Sequence, residues 1–430
     1  MDRFRRLRTP VAAPARALGL MLAVGVALFL AAAARGVASR SPGGSGRAAP
    51  PDPAARSVAR SNNRFGVDLY RQLRGAEGNL FFSPYSISSA LAMTWAGARG
   101  STESEMARTL RFTMPQDSVH AAMHALRTRL EDAAASGRYE LAIANRLWGR
   151  QGQDFLTPFL ETARASYGAA LERLDFAGAP EASRTTINRW VEEKTKGRII
   201  DLLPPGSITD LTSLVLTNAI YFKGRWAEPF RKDWTSDAVF HLDPARDVRA
   251  PMMNRSGKML IAELQGLKVL VLKYEGKDLS MAILLPDRVD GLADLERRLD
   301  ADSLARWIDG ARLEEVRVSM PRFRTTSEFL LQDPLAAMGM PSAFDPKTAD
   351  FSGTDGARDL FISAVVHKAF VDVGEEGTEA AAATGVVGEA AEARPLEPIP
   401  FVADHPFLFL IRDDMSGAIL FLGRLSNPLL

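Results

Sequence analysis

The sequence predicts an α+β fold built on large mixed and antiparallel β-sheets. Three observations carry this reading. Apolar residues recur at helical spacing early in the globular part, as at Phe65, Leu69, Tyr70 and Leu73. Further on, the run Leu214-Val-Leu-Thr-Asn-Ala-Ile-Tyr-Phe-Lys-Gly-Arg-Trp226 opens almost continuously apolar, which suits a strand buried on both faces. At the C-terminus, 406–412 and 418–425 pattern as a hairpin across Asp413-Asp-Met-Ser-Gly417. Pro406 is tolerable there as the first residue of its strand.

Taken in order, residues 1–60 read as lying outside the fold. Arg3, Arg5, Arg6, Arg8 and Arg16 precede an uncharged apolar run over 17–34. The run fits a signal peptide cleaved near Ala34 or Ala38. It is also long enough to span a bilayer as an anchor with its N-terminus inside. Both readings of 1–39 stay open. Either implies export, to the outside or the cell envelope, with membrane contact only through an uncleaved 17–34. Residues 40–60, rich in Pro, Gly, Ser and Ala, read as a flexible tether.

The globular part is expected from Ser61. Ser83-Pro84 opens a second helix, with Ser83 as N-cap and Pro84 at the first position. Helical patterns follow over 101–110, 118–133 and 185–196, and 140–148 reads as a strand. Beyond 226, strands are expected at 251–253, 268–274, 279–286, 316–323 and 365–373. Short helices are expected at 292–299 and 303–310.

The totals exclude several classes of function. The chain has 430 residues, enough for a large core, and length alone suggests two or three domains. A formal net charge of +1 gives no reason to expect nucleic acid. The absence of cysteine excludes disulfides, thiol catalysis and thiolate metal sites, but not export, because a large core needs no staple. His120 and His124 share a helix face at i and i+4, yet two histidines without an intervening HExxH glutamate read as a solvated face. No GxSxG elbow or phosphate-binding glycine loop occurs. His367, inside the strand 365–373, reads as a hydrogen-bonded core histidine before a general base. No metal, cofactor or catalytic residue is therefore expected.

The stretch 374–400, GEEGTEAAAATGVVGEAAEARPLEPIP, has a linker's composition. Its parity is that of a strand. Thr378, Ala380, Ala382, Thr384, Val386 and Gly388 share one face when the chain is extended, and none is charged or large. Glu379 and Glu389 fall on the other face. No proline occurs over 375–393, so nothing forbids ladder hydrogen bonds. The segment can be a loop in one state and a central strand in another.

Glu375-Glu-Gly-Thr-Glu-Ala-Ala-Ala-Ala383 resembles the hinge of an inhibitory serpin reactive-centre loop, and Phe401-Val-Ala-Asp-His-Pro-Phe-Leu-Phe-Leu-Ile411 resembles that family's C-terminal signature. Residues 79–87 are similar to the segment entering the family's helix B, 185–203 to helix F and its return, and 214–226 to the strand beside which the loop inserts. The resemblance runs over 61–430 as one domain. It implies about nine helices and an exposed reactive-centre loop.

It also implies roles. Gly377, Thr378, Ala380, Ala381, Ala382 and Ala383 follow Glu375 as the hinge. Ser83, Ser86, Asn218 and His367 match the shutter, a buried polar cluster under the central sheet. Trp226, Tyr274, Arg322 and Glu375 match the breach, where the loop first enters, and Glu375 is expected to pair with Arg322. A serpin offers its loop as bait to a serine protease, is cut to an acyl-enzyme, and inserts the cut loop as a new strand. Counting sixteen residues on from Glu375 puts the bait residue at Ala391 and the scissile bond at Ala391–Glu392. Arg394–Pro395 is the alternative, disfavoured because proline after the cut resists cleavage. A small bait residue implies an elastase-like or subtilisin-like partner. The inhibitor is expected to be a monomer. A non-inhibitory binding module and a cleaved substrate without trapping are the competing readings.

Overall fold

The computed structural model describes residues 53–169, 171–378 and 397–430. The chain starts helical, with α1 (Pro53–Leu73), a short strand β1 (Leu80–Phe82), then α2 (Pro84–Trp95), α3 (Gly100–Thr109) and α4 (Gln116–Ala135). Next come β2 (Tyr139–Arg150), α5 (Thr157–Tyr167), β3 (Leu171–Leu174) and α6 (Pro180–Lys194). Strands then dominate: β4 (Leu214–Arg225), β5 (Ser236–Asp243), β6 (Arg246–Leu264), β7 (Leu267–Lys273) and β8 (Leu279–Pro286). After α7 (Leu292–Arg298) and α8 (Ala301–Asp309) come β9 (Arg312–Pro321), β10 (Phe323–Leu330), α9 (Gln332–Ala337) and α10 (Ser352–Asp355). The chain closes with β11 (Ile362–Gly374), β12 (Gly377–Thr378), β13 (Ile399–Val402), β14 (Phe407–Asp413) and β15 (Ile419–Leu425).

Helix α1 begins eight residues before the expected start of the globular part. Ala55, Val58 and Ala59 are buried and continue the apolar stripe of Phe65, Leu69 and Tyr70. Alanine, read as linker composition, is also the strongest helix former. Helix α2 is capped as expected, with Ser83 Oγ accepting the Ser86 N–H at 3.0 Å, and all twelve of its residues are buried.

Two sheets organise the fold. Nine strands form one, in the order β1-β15-β14-β8-β7-β6-β9-β13, with β5 on β6. Six form the other, in the order β10-β11-β12-β4-β2-β3, with β11 also pairing β4. The segment 251–253 is only part of the much longer β6. Its half-exposed strand interleaves Arg249, Asn254, Arg255 and Lys258 among apolar residues, which hides its length. The expected single strand 316–323 is two. Its chain leaves the nine-stranded sheet at Pro321 and enters the six-stranded sheet at Phe323. Arg322 stands at that crossing.

β4 and β11 run parallel and pair from Leu214↔Ile362 to Tyr221↔Phe370. Beyond Phe370 they diverge, and β12 enters between them, with Thr378 opposite Gly224 of β4 and Val373 of β11. A second core, including Ala144, Trp148, Ile187, Val191, Val215 and Val366, packs α6 and the segment after it against this sheet.

Candidate functional site

The place where β12 wedges the sheet open is built from aromatic planes and one buried carboxylate. Trp226 and Tyr274 stack at 4.7 Å between ring centroids, 15° from parallel. Trp226 Nε1 donates to the Gly374 carbonyl at 2.9 Å, and its backbone N–H donates to the Glu376 carbonyl at 2.8 Å. Tyr274 Oη and Thr378 Oγ1 lie 2.8 Å apart, and both side chains are buried. Burial raises the Tyr274 pKa, with the Thr378 contact only partly opposing it, so the hydroxyl stays neutral.

Glu375 is buried beside them. Arg322 Nη2 and Thr235 Oγ1, the latter at 2.9 Å, both donate to its Oε1. Burial disfavours its charge, but the Arg322 hydrogen bond, with Thr235 and the Coulombic attraction of Arg322, outweighs it and lowers the pKa. The two catch points of the hinge are therefore polar at Glu375 and steric at Gly377. Gly377 has φ +151, and a Cβ there would lie 2.1 Å from the Gly224 carbonyl oxygen. Only glycine passes between the strands at that point.

The second cluster is a row across three strands. Asn218 of β4 faces His367 of β11 on one side and Asn145 of β2 on the other. The Ser83 backbone N–H donates to His367 Nε2 at 3.1 Å, so the ring proton sits on Nδ1 and donates to Asn218 Oδ1. Asn218 Nδ2 donates to Ser86 Oγ at 2.7 Å and to Asn145 Oδ1 at 2.5 Å. Ser83 Oγ in turn donates to the Leu420 carbonyl at 2.6 Å. The row thus ties the β4–β11 seam to the start of α2 and to β15. Each buried polar atom has a partner, so parting the strands costs desolvation unless the partners are replaced.

All four residues matched to each cluster are thus brought together. Ala380, Ala381, Ala382, Ala383, Ala391, Glu392, Arg394 and Pro395 lie outside the described residues. Sequence reasoning missed Asn145, Thr235 and Lys232, which pairs with Glu376. Asn145 carried a signal: a lone amide among apolar residues of a strand that pairs with the Asn218 strand. Thr235 and Lys232 carried none, because they arrive from a loop and a single 3₁₀ turn. His120 is not on a solvated face. It is buried with Nδ1 2.5 Å from Tyr167 Oη, while His124 is exposed. No cluster of metal-ligating residues occurs among the described residues.

A sheet wedged open by an incoming strand, above a separable polar seam, defines a protein class that can accept its own loop. Residues 60–428 match the serpin family (serine protease inhibitor), and the chain belongs to that family. It is similar to the leukocyte elastase inhibitor of Bos taurus, 47% identical over 381 residues that cover 86% of this chain and 99% of the relative. The Homo sapiens protein of that name is 43% identical over the same shares. Among solved structures, uncleaved ovalbumin superposes with a TM-score of 0.79 at 32% identity, over 86% of this chain and all of that one. Serpin48 of the insect Tenebrio molitor gives 0.77 at 30%, over 86% and 98%. The α+β serpin fold and protease inhibition of the serpin type follow. They match the sequence-based expectation, and the binding-module and plain-substrate readings are not favoured.

Two expected outcomes arise here. Glu375→Lys removes the acceptor of Arg322 and Thr235 and sets an ammonium against a guanidinium. It should yield loop-inserted or loop-into-sheet polymeric species on mild warming. Native gels showing only unaltered monomer would count against a restraining role for this pair. The second concerns acid. Burial holds the His367 pKa down at about 3 against the Asn218 contact, and burial lowers that of His120 to about 4. Unfolding therefore takes up protons between the ordinary value of about 6.5 and these values, and stability falls as pH drops through that window, by up to about 1.4 kcal/mol per pH unit per group. Thermal melts from about pH 7 to about pH 4 should show a shallower slope for His367→Gln than for the wild type. Equal slopes would remove His367 from the account.

Proposed function

We propose that this protein inhibits an elastase-like or subtilisin-like serine protease by trapping it as an acyl-enzyme and drawing the cut loop into the six-stranded sheet. The observation that carries this reading is Thr378, already seated between β11 and β4 with its side chain buried. Insertion begun at Thr378 needs only continue in the same parity. From Thr378 to Ala391 is 391 − 378 = 13 steps, or roughly 43 Å of strand at about 3.3 Å per step. Displacement on that scale carries the acylated protease across the inhibitor. It distorts an oxyanion hole in which one lost donor costs roughly 10²–10³ in rate. The chain is consumed as an inhibitor and turns nothing over.

The bait residue is Ala391, with Ala391–Glu392 as the scissile bond and Arg394–Pro395 as the rival. Alanine suits a narrow specificity pocket, whereas a deep acidic one would gain nothing from it. The names of the elastase-inhibitor relatives point the same way. Mass spectrometry of the peptide released from the SDS-stable complex tests the site. A new N-terminus at Glu392 supports it, and one at Pro395 moves the bait to Arg394 and overturns the elastase-like target. The chain acts as an exported monomer, released by cleavage after residues 1–39 or held by 17–34. N-terminal sequencing of the mature protein distinguishes release from anchoring.

A further inference from the structure

Helix α1 carries a row of positive charge that its own fold does not use. Arg56, Arg60 and Arg64 recur at i, i+4 and i+8 and are all exposed, so they stand along one line of the helix away from the core. At that spacing like charges repel, and Arg56, in the first turn, also opposes the helix macrodipole. The first turn supplies no carboxylate, and Asp68 is the only acid in the helix. Asp52, directly before the helix, lies outside the described residues.

Arg71 of α1, with Arg108 and Arg111 at the end of α3, lines the same cleft as Arg64 and extends the basic surface. Its carboxylates are few. Asp68 bridges Arg71 at 2.8 Å and Arg111 at 2.7 Å, Asp302 pairs with Arg64 at 3.3 Å, and Asp300 caps α8. Arg56, Arg60 and Arg108 make no ion pair with any described residue. Six arginines against three aspartates leave a surplus of three positive charges here, in a chain whose formal net charge is only +1. Such a row lowers the stability of the free helix, and an anionic surface laid against it removes the repulsion.

We propose that this face docks on the anionic headgroups of a lipid bilayer, as a second membrane contact beyond the apolar run 17–34. Docking presupposes the reading above in which that run is kept. Only eighteen residues lie between Ala34 and Pro53, and they reach at most about 65 Å. The row begins within one turn of the point where that segment joins the helix, so a bilayer holding 17–34 stays at high effective concentration for these arginines. Each positive charge near an anionic leaflet adds to the attraction, which decays over a Debye length. The docked domain is then held by one face and does not turn freely about the connecting segment.

The chain has no cysteine, so a single introduced thiol reports one place. Ser57→Cys puts it at a half-exposed site between Arg56 and Arg60. The full chain with this change is reconstituted in vesicles of phosphatidylcholine alone or with about 30% phosphatidylglycerol, and its labelling by a bulky maleimide is timed. Labelling should be several-fold slower on the anionic vesicles, and the two rates should converge in about 0.5 M salt. Arg56→Gln, Arg60→Gln and Arg64→Gln together should abolish the difference. Arg56→Lys, Arg60→Lys and Arg64→Lys together should keep most of it, because the charge is retained. Ser256→Cys, at an exposed site on β6, should label alike on both vesicles. Equal rates at position 57 on the two vesicles, or slowing at 256 as large as at 57, overturns the docking. Slowing by a soluble sulfated polysaccharide but not by phosphatidylglycerol overturns lipid as the partner. Flotation with pure phosphatidylcholine vesicles in high salt reads the apolar anchor by itself. With vesicles in excess the thiol reads the arginine row whether or not that anchor holds, so the two failures are distinguishable.

Discussion

Thr378→Arg should convert the inhibitor into a substrate, with the yield of covalent protease complex falling at least about tenfold while cleavage of the loop continues. Thr378 is fully buried against Tyr274, between β11 and β4. A guanidinium there would have to be buried without a carboxylate partner, at a cost of several kcal/mol. The loop would then stay outside the sheet long enough for the acyl-enzyme to hydrolyse. Gel quantitation of complex against cleaved inhibitor reads the partition. A complex yield equal to the wild type would mean that insertion does not pass through this hinge.

Cutting the loop anywhere over 385–394 should raise the thermal midpoint by on the order of ten degrees or more. Inserting about a dozen residues adds about a dozen backbone hydrogen bonds, at a net ~1 kcal/mol each, or ~10 kcal/mol together. Spread over the unfolding entropy of a domain this size, that is a shift of about ten degrees. With that outcome, the intact protein would be one held in its form by a barrier and not by its relative free energy. Calorimetry of nicked and intact protein decides the matter. A nicked form that melts at or below the intact one would contradict the strand-like reading of 374–400.

Most of the fold was legible because its signals are local. Helix α2 announces itself through Ser83 and Pro84, and β4 through an apolar run that only a doubly covered strand tolerates. The C-terminal hairpin is written in two apolar runs and a turn. The signals failed where a strand lies half in water, as β6 does, or where alanine serves two readings, as in the first turns of α1.

The hinge glycine was legible as a motif, but its reason was not. The oxygen that excludes a side chain at Gly377 belongs to Gly224, more than 150 residues earlier in the chain. The same holds for the polar row. Ser83, Asn218 and His367 are far apart in sequence, and only strand register sets Asn145 beside them.

By itself the sequence determined the alternation of elements, the strand-like parity of the reactive segment, the absence of any thiol chemistry and the family. Those rest on residue types and short-range spacing, which act along the chain. The tertiary structure alone decided that β9 and β10 part at Arg322 to serve different sheets and that this crossing aims its guanidinium at Glu375. It alone decided that β12 already occupies the gap between β11 and β4. Such facts depend on packing between segments tens to hundreds of residues apart. No local propensity encodes which carbonyl, ring or carboxylate will be waiting on the other side.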